Sequence, residues 1–137
     1  MALFQWDVRV YYEDTDSGGV VYYANYLRFM ERARTEWMRS LGFEQDSLLA
    51  EQGILFAVRS ASIDYLRPAV FNDRLDVTVD IRRRGRASLT LQQDVLRHGD
   101  AGGPLCTGMV KIACLEAATF RPQPLPDSIL KEIVNGG

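Results

Sequence analysis

From Tyr22 to Leu41 the apolar residues recur every three to four positions, and beyond Ile54 they recur every second position. That change of period predicts one long helix followed by strands. Tyr22, Tyr26, Phe29, Met30, Ala33, Trp37 and Leu41 share one arc of the helix, which Tyr23 and Leu27 widen. Arg28, Glu31, Arg32, Thr35, Glu36 and Arg39 fill most of the other side, and Gly42 is a natural stop. So broad and aromatic an arc demands a sheet that embraces the helix.

The flanking segments supply such a sheet. Phe4 to Tyr12 alternates in part and reads as a first strand, with Phe4, Trp6, Val8, Val10 and Tyr12 on one face. Asp46 to Gln52 reads as a short helical segment ended by Gly53. Ile54 to Leu66 alternates with a phase shift between Val58 and Ala61, which predicts a bulge. Arg74 to Ile81 and Ser88 to Leu96 are further strands, and Arg82 to Ala87 reads as the hairpin connection between them. After a second hairpin loop from His98 to Pro104, Leu105 to Leu115 is almost unbroken apolar and predicts a central strand covered on both faces. A short polar helix over Asp127 to Val134 closes the chain. The expectation is a single α+β domain spanning residues 1–137, with a strand, a long helix and then about four antiparallel strands in sequence.

The formal charge of −2 lacks the cationic excess of a nucleic-acid or membrane-surface protein. No apolar run approaches the roughly 20 residues of a membrane span, and MALFQWDVRV lacks the cationic and uninterrupted apolar parts of a signal peptide. Cys106 and Cys114 lie on one predicted strand, roughly 26 Å apart at its rise per residue. They cannot form a disulfide there. Two buried thiols fit a reducing compartment, so the cytoplasm is the expected location.

Chemistry concentrates ahead of the helix. Glu13-Asp14-Thr15-Asp16 and the glycines Gly18 and Gly19 lie just before it. A carboxylate there stands close to unpaired amides and the positive end of the helix dipole. That setting suits a carbonyl that must develop negative charge under attack. A calcium loop starting at Asp14 would need an Asp or Asn at its fifth position and a Glu at its twelfth. Gly18 and Asn25 stand there, so calcium is rejected and no metal is expected. The competing reading of Asp16 is an ordinary Asx turn. Tyr22 and Tyr26 are most simply core residues, and Glu31 with Arg34 is either a surface pair or a brace for the site. Arg82, Arg83, Arg84 and Arg86 form a cationic hairpin, either a solubilising loop or a clamp for phosphates. His98 is given no role.

The segment VRVYYEDTDSGGVVYYANYLRFMERARTEW, Val8 to Trp37, resembles the hotdog-fold acyl-CoA thioesterases, specifically the Tol-Pal-associated (YbgC-type) branch of the 4-hydroxybenzoyl-CoA thioesterase family. Weaker similarity continues through Phe56-Ala57-Val58-Arg59, Asp64 to Ala69, Gly85 to Leu89 and Leu125-Pro126. The resemblance implies a long central helix wrapped by a curved antiparallel sheet of about five strands, with protomers joined as a homodimer or homotetramer that shares its sites. It implies hydrolysis of a short-chain or aromatic acyl-CoA without any cofactor, coenzyme A being part of the substrate. Asp16 becomes the nucleophile or general base, the Tyr23 amide the oxyanion donor, and Tyr12 a further catalytic residue. Gly19, Tyr22, Glu31, Arg83, Arg84 and Arg86 fall on the substrate-binding side. YbgC-type members commonly read Val-Tyr-His where this chain has Val21-Tyr22-Tyr23, which preserves a backbone donor but removes an imidazole. The alternative is a non-catalytic adaptor for acyl carrier protein or an envelope-associated partner. A hotdog dehydratase lacks a suitably placed histidine.

Overall fold

The computed structural model describes residues 3–136. Its strands are β1 (Phe4–Arg9), β2 (Ile54–Tyr65), β3 (Arg74–Arg84), β4 (Ser88–Arg97) and β5 (Cys106–Glu116), and its helices are α1 (Asn25–Ser40), α2 (Gln45–Gln52) and α3 (Asp127–Gly136). The strands form one antiparallel sheet in the order β1-β3-β4-β5-β2. The α+β class and the five strands are as expected. The order is not simply sequential, because β2 lies against β5 and β1 takes the place beside β3.

One face of this sheet is packed onto α1. Phe29, Met30, Ala33 and Trp37 meet Leu75, Val77 and Val79 of β3, Leu89, Leu91 and Val95 of β4, and Val110 and Cys114 of β5 in the buried core. Fully burying one such large side chain contributes roughly 1.5–3 kcal/mol. Met30 sits so close to the sheet that a Cβ on Gly108 would lie 3.1 Å from its Cε. A glycine at that point of β5 lets helix and strand approach.

Several local expectations need correction. β1 ends at Arg9, and Tyr12 belongs to a 3-10 turn, Tyr12–Asp14, because the acidic turn needs the backbone there. Regular α-helix begins at Asn25, so Tyr22 stands exposed outside the core while Tyr26 is buried. β3 runs on through Arg84, leaving only Gly85 to Ala87 as the connection. The outer face of β5 is partly open at Met109, so that strand is not covered on both sides. α3 is amphipathic: Ile129 and Ile133 complete the core while its other side stays polar. The shift predicted in β2 is present, between Val58 and Ser60. Both cysteines lie on β5, buried and unpaired. No helix among the described residues is long and apolar enough to cross a membrane.

Candidate active site

The acidic turn is a small hydrogen-bonded knot that delivers α1. Asp14 is its hub. Its carboxylate accepts from the Tyr11 amide at 2.9 Å, and its carbonyl accepts from the Tyr22 amide at 2.9 Å and from Asn25 Nδ2 at 2.8 Å. Asn25, a buried residue at the head of α1, ties helix to turn. The sequence reading passed over Asn25; its position four residues ahead of Phe29 on the buried arc was the available signal.

Asp16 has a different part. It begins a tight reversal in which its amide donates to the Val20 carbonyl at 2.9 Å and its carbonyl accepts from the Gly19 amide at 3.0 Å. Gly19 adopts φ 80°, the left-handed conformation that favours glycine. The reversal is anchored by the bridges Thr15 to Val21 and Val20 to Val70. Asp16 Oδ1 accepts from the Gly18 amide at 2.8 Å, which is the Asx turn that composition favours. That bond uses one carboxylate oxygen only. Oδ2 has no hydrogen-bond partner among the described residues, and Asp16 is exposed.

Facing this carboxylate is the approach to α1. The Tyr22 phenol titrates above the usual tyrosine range, first because of the neighbouring Tyr23 hydroxyl and charge, and to a smaller extent because Asp16 disfavours a phenolate beside it. The Tyr22 and Tyr23 rings lie 4.9 Å apart. The amides of Asn25, Tyr26 and Leu27 already donate to the carbonyls of Tyr22, Tyr23 and Ala24. The amide of Tyr23 makes no hydrogen bond within the described residues and is an orphan donor of the helix start. Tyr65, unmarked in the sequence, fixes this corner by donating its hydroxyl to the Tyr23 carbonyl at 3.2 Å and packing edge-on to the Tyr23 ring. Tyr22, Tyr23 and Tyr65 form a run of ring contacts that stays exposed, as does Leu27, and its Tyr22 end is near enough to Asp16 to feel its charge. A free carboxylate oxygen, an unused amide and an uncovered apolar wall are what attack on an activated carbonyl requires.

The other expected residues are elsewhere. Tyr12 is 74% exposed and its ring is stacked on Phe71, with ring centroids 3.7 Å apart. Glu31 lies on α1 roughly 12 Å along the axis from Tyr23 at the rise of an α-helix. There it shares a crevice of about 140 Å³ with Arg34, Phe56 and Val58. The Arg34 guanidinium is lowered from its usual range by burial, an effect that nearby Glu31 opposes, and it donates to Gln93 Oε1 at 3.0 Å. Arg83, Arg84 and Arg86 stand at the far end of β3, on the order of 30 Å from the Asp16 turn at strand rise. Within one chain, Asp16, Gly19, Tyr22 and Tyr23 come together and the three arginines do not. Among the described residues no group of His, Cys, Asp and Glu side chains could hold a metal ion.

Residues 10–133 match the thioesterase-like superfamily, and the chain belongs to that superfamily, as a thioesterase of the hotdog fold. Among proteins of assigned function it is similar to the acyl-CoA thioesterase YbgC of Haemophilus influenzae, 41% identical over 92% of this chain and 90% of that one. The acyl-CoA thioester hydrolase YbgC of Escherichia coli O6:H1 is likewise 41% identical, over 95% of each chain. A solved probable thioesterase from Bartonella henselae superposes with a TM-score of 0.84 at 35% identity, covering 91% of this chain and all, 100%, of that one.

Proposed function

We propose that the chain hydrolyses acyl-CoA thioesters to the free acid and coenzyme A, without a metal or redox cofactor. The observation that supports this reading is that Asp16 Oδ2 and the Tyr23 amide both lack hydrogen-bond partners among the described residues, while Tyr22, next to Tyr23 in the chain, feels the Asp16 charge. Asp16 attacks the thioester carbon or draws a proton from the attacking water. The oxyanion forms against the Tyr23 amide at the positive end of α1, and losing such a donor in comparable sites costs about 3 kcal/mol. Gly19 keeps the turn clear for the substrate, and the Tyr22 and Tyr23 rings bound its acyl side. Tyr12, stacked on Phe71, supports the outer wall of the acidic turn rather than the reacting atoms.

The working unit in this proposal is a homodimer or a tetramer of such dimers. β2 is a twelve-residue strand with β5 on one side and no strand on the other among the described residues, and Val58 and Tyr65 are exposed along it. A free edge of that length is a template for a second copy. Isologous antiparallel pairing of two β2 edges sets the Ile54 end of one chain against the Tyr65 end of the other. This closes the exposed Asp16 corner. It also carries Glu31, Arg34 and the cationic hairpin of the partner subunit to the end of the assembly where Asp16 lies. Buried free thiols at Cys106 and Cys114 fit a cytoplasmic protein.

The test is thiol release over a panel of short aliphatic and aromatic acyl-CoA esters. Asp16→Asn is expected to lower kcat by roughly 10²–10⁴-fold with fold and oligomer unchanged. A variant that retains kcat removes Asp16 from the chemistry. An inert wild type across the whole panel, with tight binding of acyl carrier protein, would favour the adaptor instead.

A further inference from the structure

The Asp16 reversal hangs from one distant segment of the chain. The Val21 amide donates to the Ala69 carbonyl at 2.9 Å, and Val20 forms a bridge with Val70. Ala69 is fully buried, and its own amide donates to the hydroxyl of Tyr26 on α1 at 3.1 Å. One residue thus joins the helix to the turn. The stretch that carries it, residues 66–73 between β2 and β3, is neither helix nor regular strand. Where Asp16 stands therefore depends on what holds that stretch.

Its main anchor is Arg97, at the end of β4. Arg97 Nε donates to Asp73 Oδ2 at 3.1 Å, Nη2 to the Pro68 carbonyl at 2.9 Å, and Nη1 to Asp100 Oδ2 at 3.2 Å. Asp73 Oδ2 also accepts from the Val70 amide at 2.9 Å, so guanidinium and bridging residue share one oxygen. Between them Asn72 adopts φ 69°, a left-handed conformation that residues other than glycine enter at a cost. Asp100 Oδ2 accepts from Arg67 Nη1 as well, at 3.2 Å, and Arg67 Nη2 donates to the Gly103 carbonyl at 2.6 Å. Arg67 Nε is buried without a partner. A net that leaves a buried donor unmatched is a poor source of stability, but its fixed forks hold one geometry.

We infer that Arg97 is a positioning residue of the reaction. Through Asp73 and Pro68 it fixes residues 66–73, and through Ala69 and Val70 they fix the Asp16 carboxylate. The assignment rests on the hydrolase reading. Arg97→Met keeps the apolar stem and removes the three donors. It is expected to lower kcat roughly tenfold and to leave KM within about twofold. In the Asp16→Asn background no carboxylate remains to be placed, so the same substitution should change the residual rate by less than about twofold. Hydrogen exchange followed by mass spectrometry should quicken over residues 15–22 and 66–73 and stay unchanged over residues 108–114 of β5. Asp100→Asn, a milder change on the hairpin loop, should lower kcat about threefold with the same exchange pattern, and it decides the matter if Arg97→Met does not fold. Arg74→Ala breaks an exposed pair with Asp7 and should leave both readouts unchanged. Unaltered exchange over residues 15–22, a KM that rises as kcat falls, or the full loss carried into the Asp16→Asn background would overturn the assignment. The expected exchange pattern in a protein that hydrolyses no ester would overturn the hydrolase reading and leave Arg97 as a brace of the turn alone.

Discussion

Two aspartates two residues apart do opposite things in this turn. Asp14 spends its carboxylate and carbonyl on Tyr11, Tyr22 and Asn25, so it builds the structure. Asp16 accepts from Gly18 on one oxygen and leaves the other without a partner among the described residues. Gly18 is therefore a sensitive neighbour: a Cβ there would lie 3.2 Å from Asp16 Oδ1. Gly18→Ala is expected to turn the carboxylate and lower kcat by roughly ten- to a hundredfold, with little change in Tm, as small misplacements of a reacting group do. Steady-state kinetics beside a thermal melt would check it, and unchanged kcat would show that the Asp16 rotamer does not matter. A second residue-scale consequence concerns Cys106, whose thiol is pushed up from 9.0 to about 12 by burial first and then by Asp94 and Asp64. A thiol raised in the folded state favours folding while both states are protonated. Its contribution is complete below about pH 9 and is lost as pH climbs toward about 12. Alkaline urea melts should show stability falling over that window, and Cys106→Ala should flatten the slope.

At the scale of elements, the join between α1 and the sheet is polar at one point. Gln93 is 0% exposed on the core face of β4. Its amide donates to the Met30 carbonyl at 3.0 Å and the Thr78 carbonyl at 3.3 Å, and its oxygen accepts from Arg34. This bond set fixes α1 against β3 and β4. Gln93→Leu would leave a half-buried guanidinium and two carbonyls short of partners, so it should cost about 2–4 kcal/mol. A urea denaturation curve measures this directly, and a loss under 1 kcal/mol would mean that water replaces the amide. Sequence reading could not find Gln93, because a polar residue interrupts the apolar alternation of Leu89, Leu91 and Val95 and nothing local says that it shares their face. Tyr22 failed for the converse reason: it has the right period, but the acidic turn holds the backbone and the helix starts three residues later.

For the whole molecule, the proposed dimer would cover both the open edge of β2 and the exposed Asp16 corner. Val58→Glu places a charge on that edge, and isologous pairing would set two such charges near each other. Sedimentation should then report a monomer, and thioester hydrolysis should fall with it. A monomer of full activity would end the shared-site proposal, as would a dimer indifferent to the substitution.

What could be known from the residues alone was local. The broad arc of α1, the alternation of β3, the slip in β2, the separation of the cysteines and the acidic turn all follow from periods of 3.6 and 2 and from turn chemistry, which act over a few residues. Neighbours distant in the chain were decided by tertiary structure. It put β1 between no two strands but beside β3, sent β2 to the far edge, buried Gln93 and one side of α3, and parted the arginines from Asp16 by the length of a strand. Those outcomes depend on which surfaces remain to be covered once the helix is wrapped, a balance of burial over the whole sheet that no short window of sequence contains.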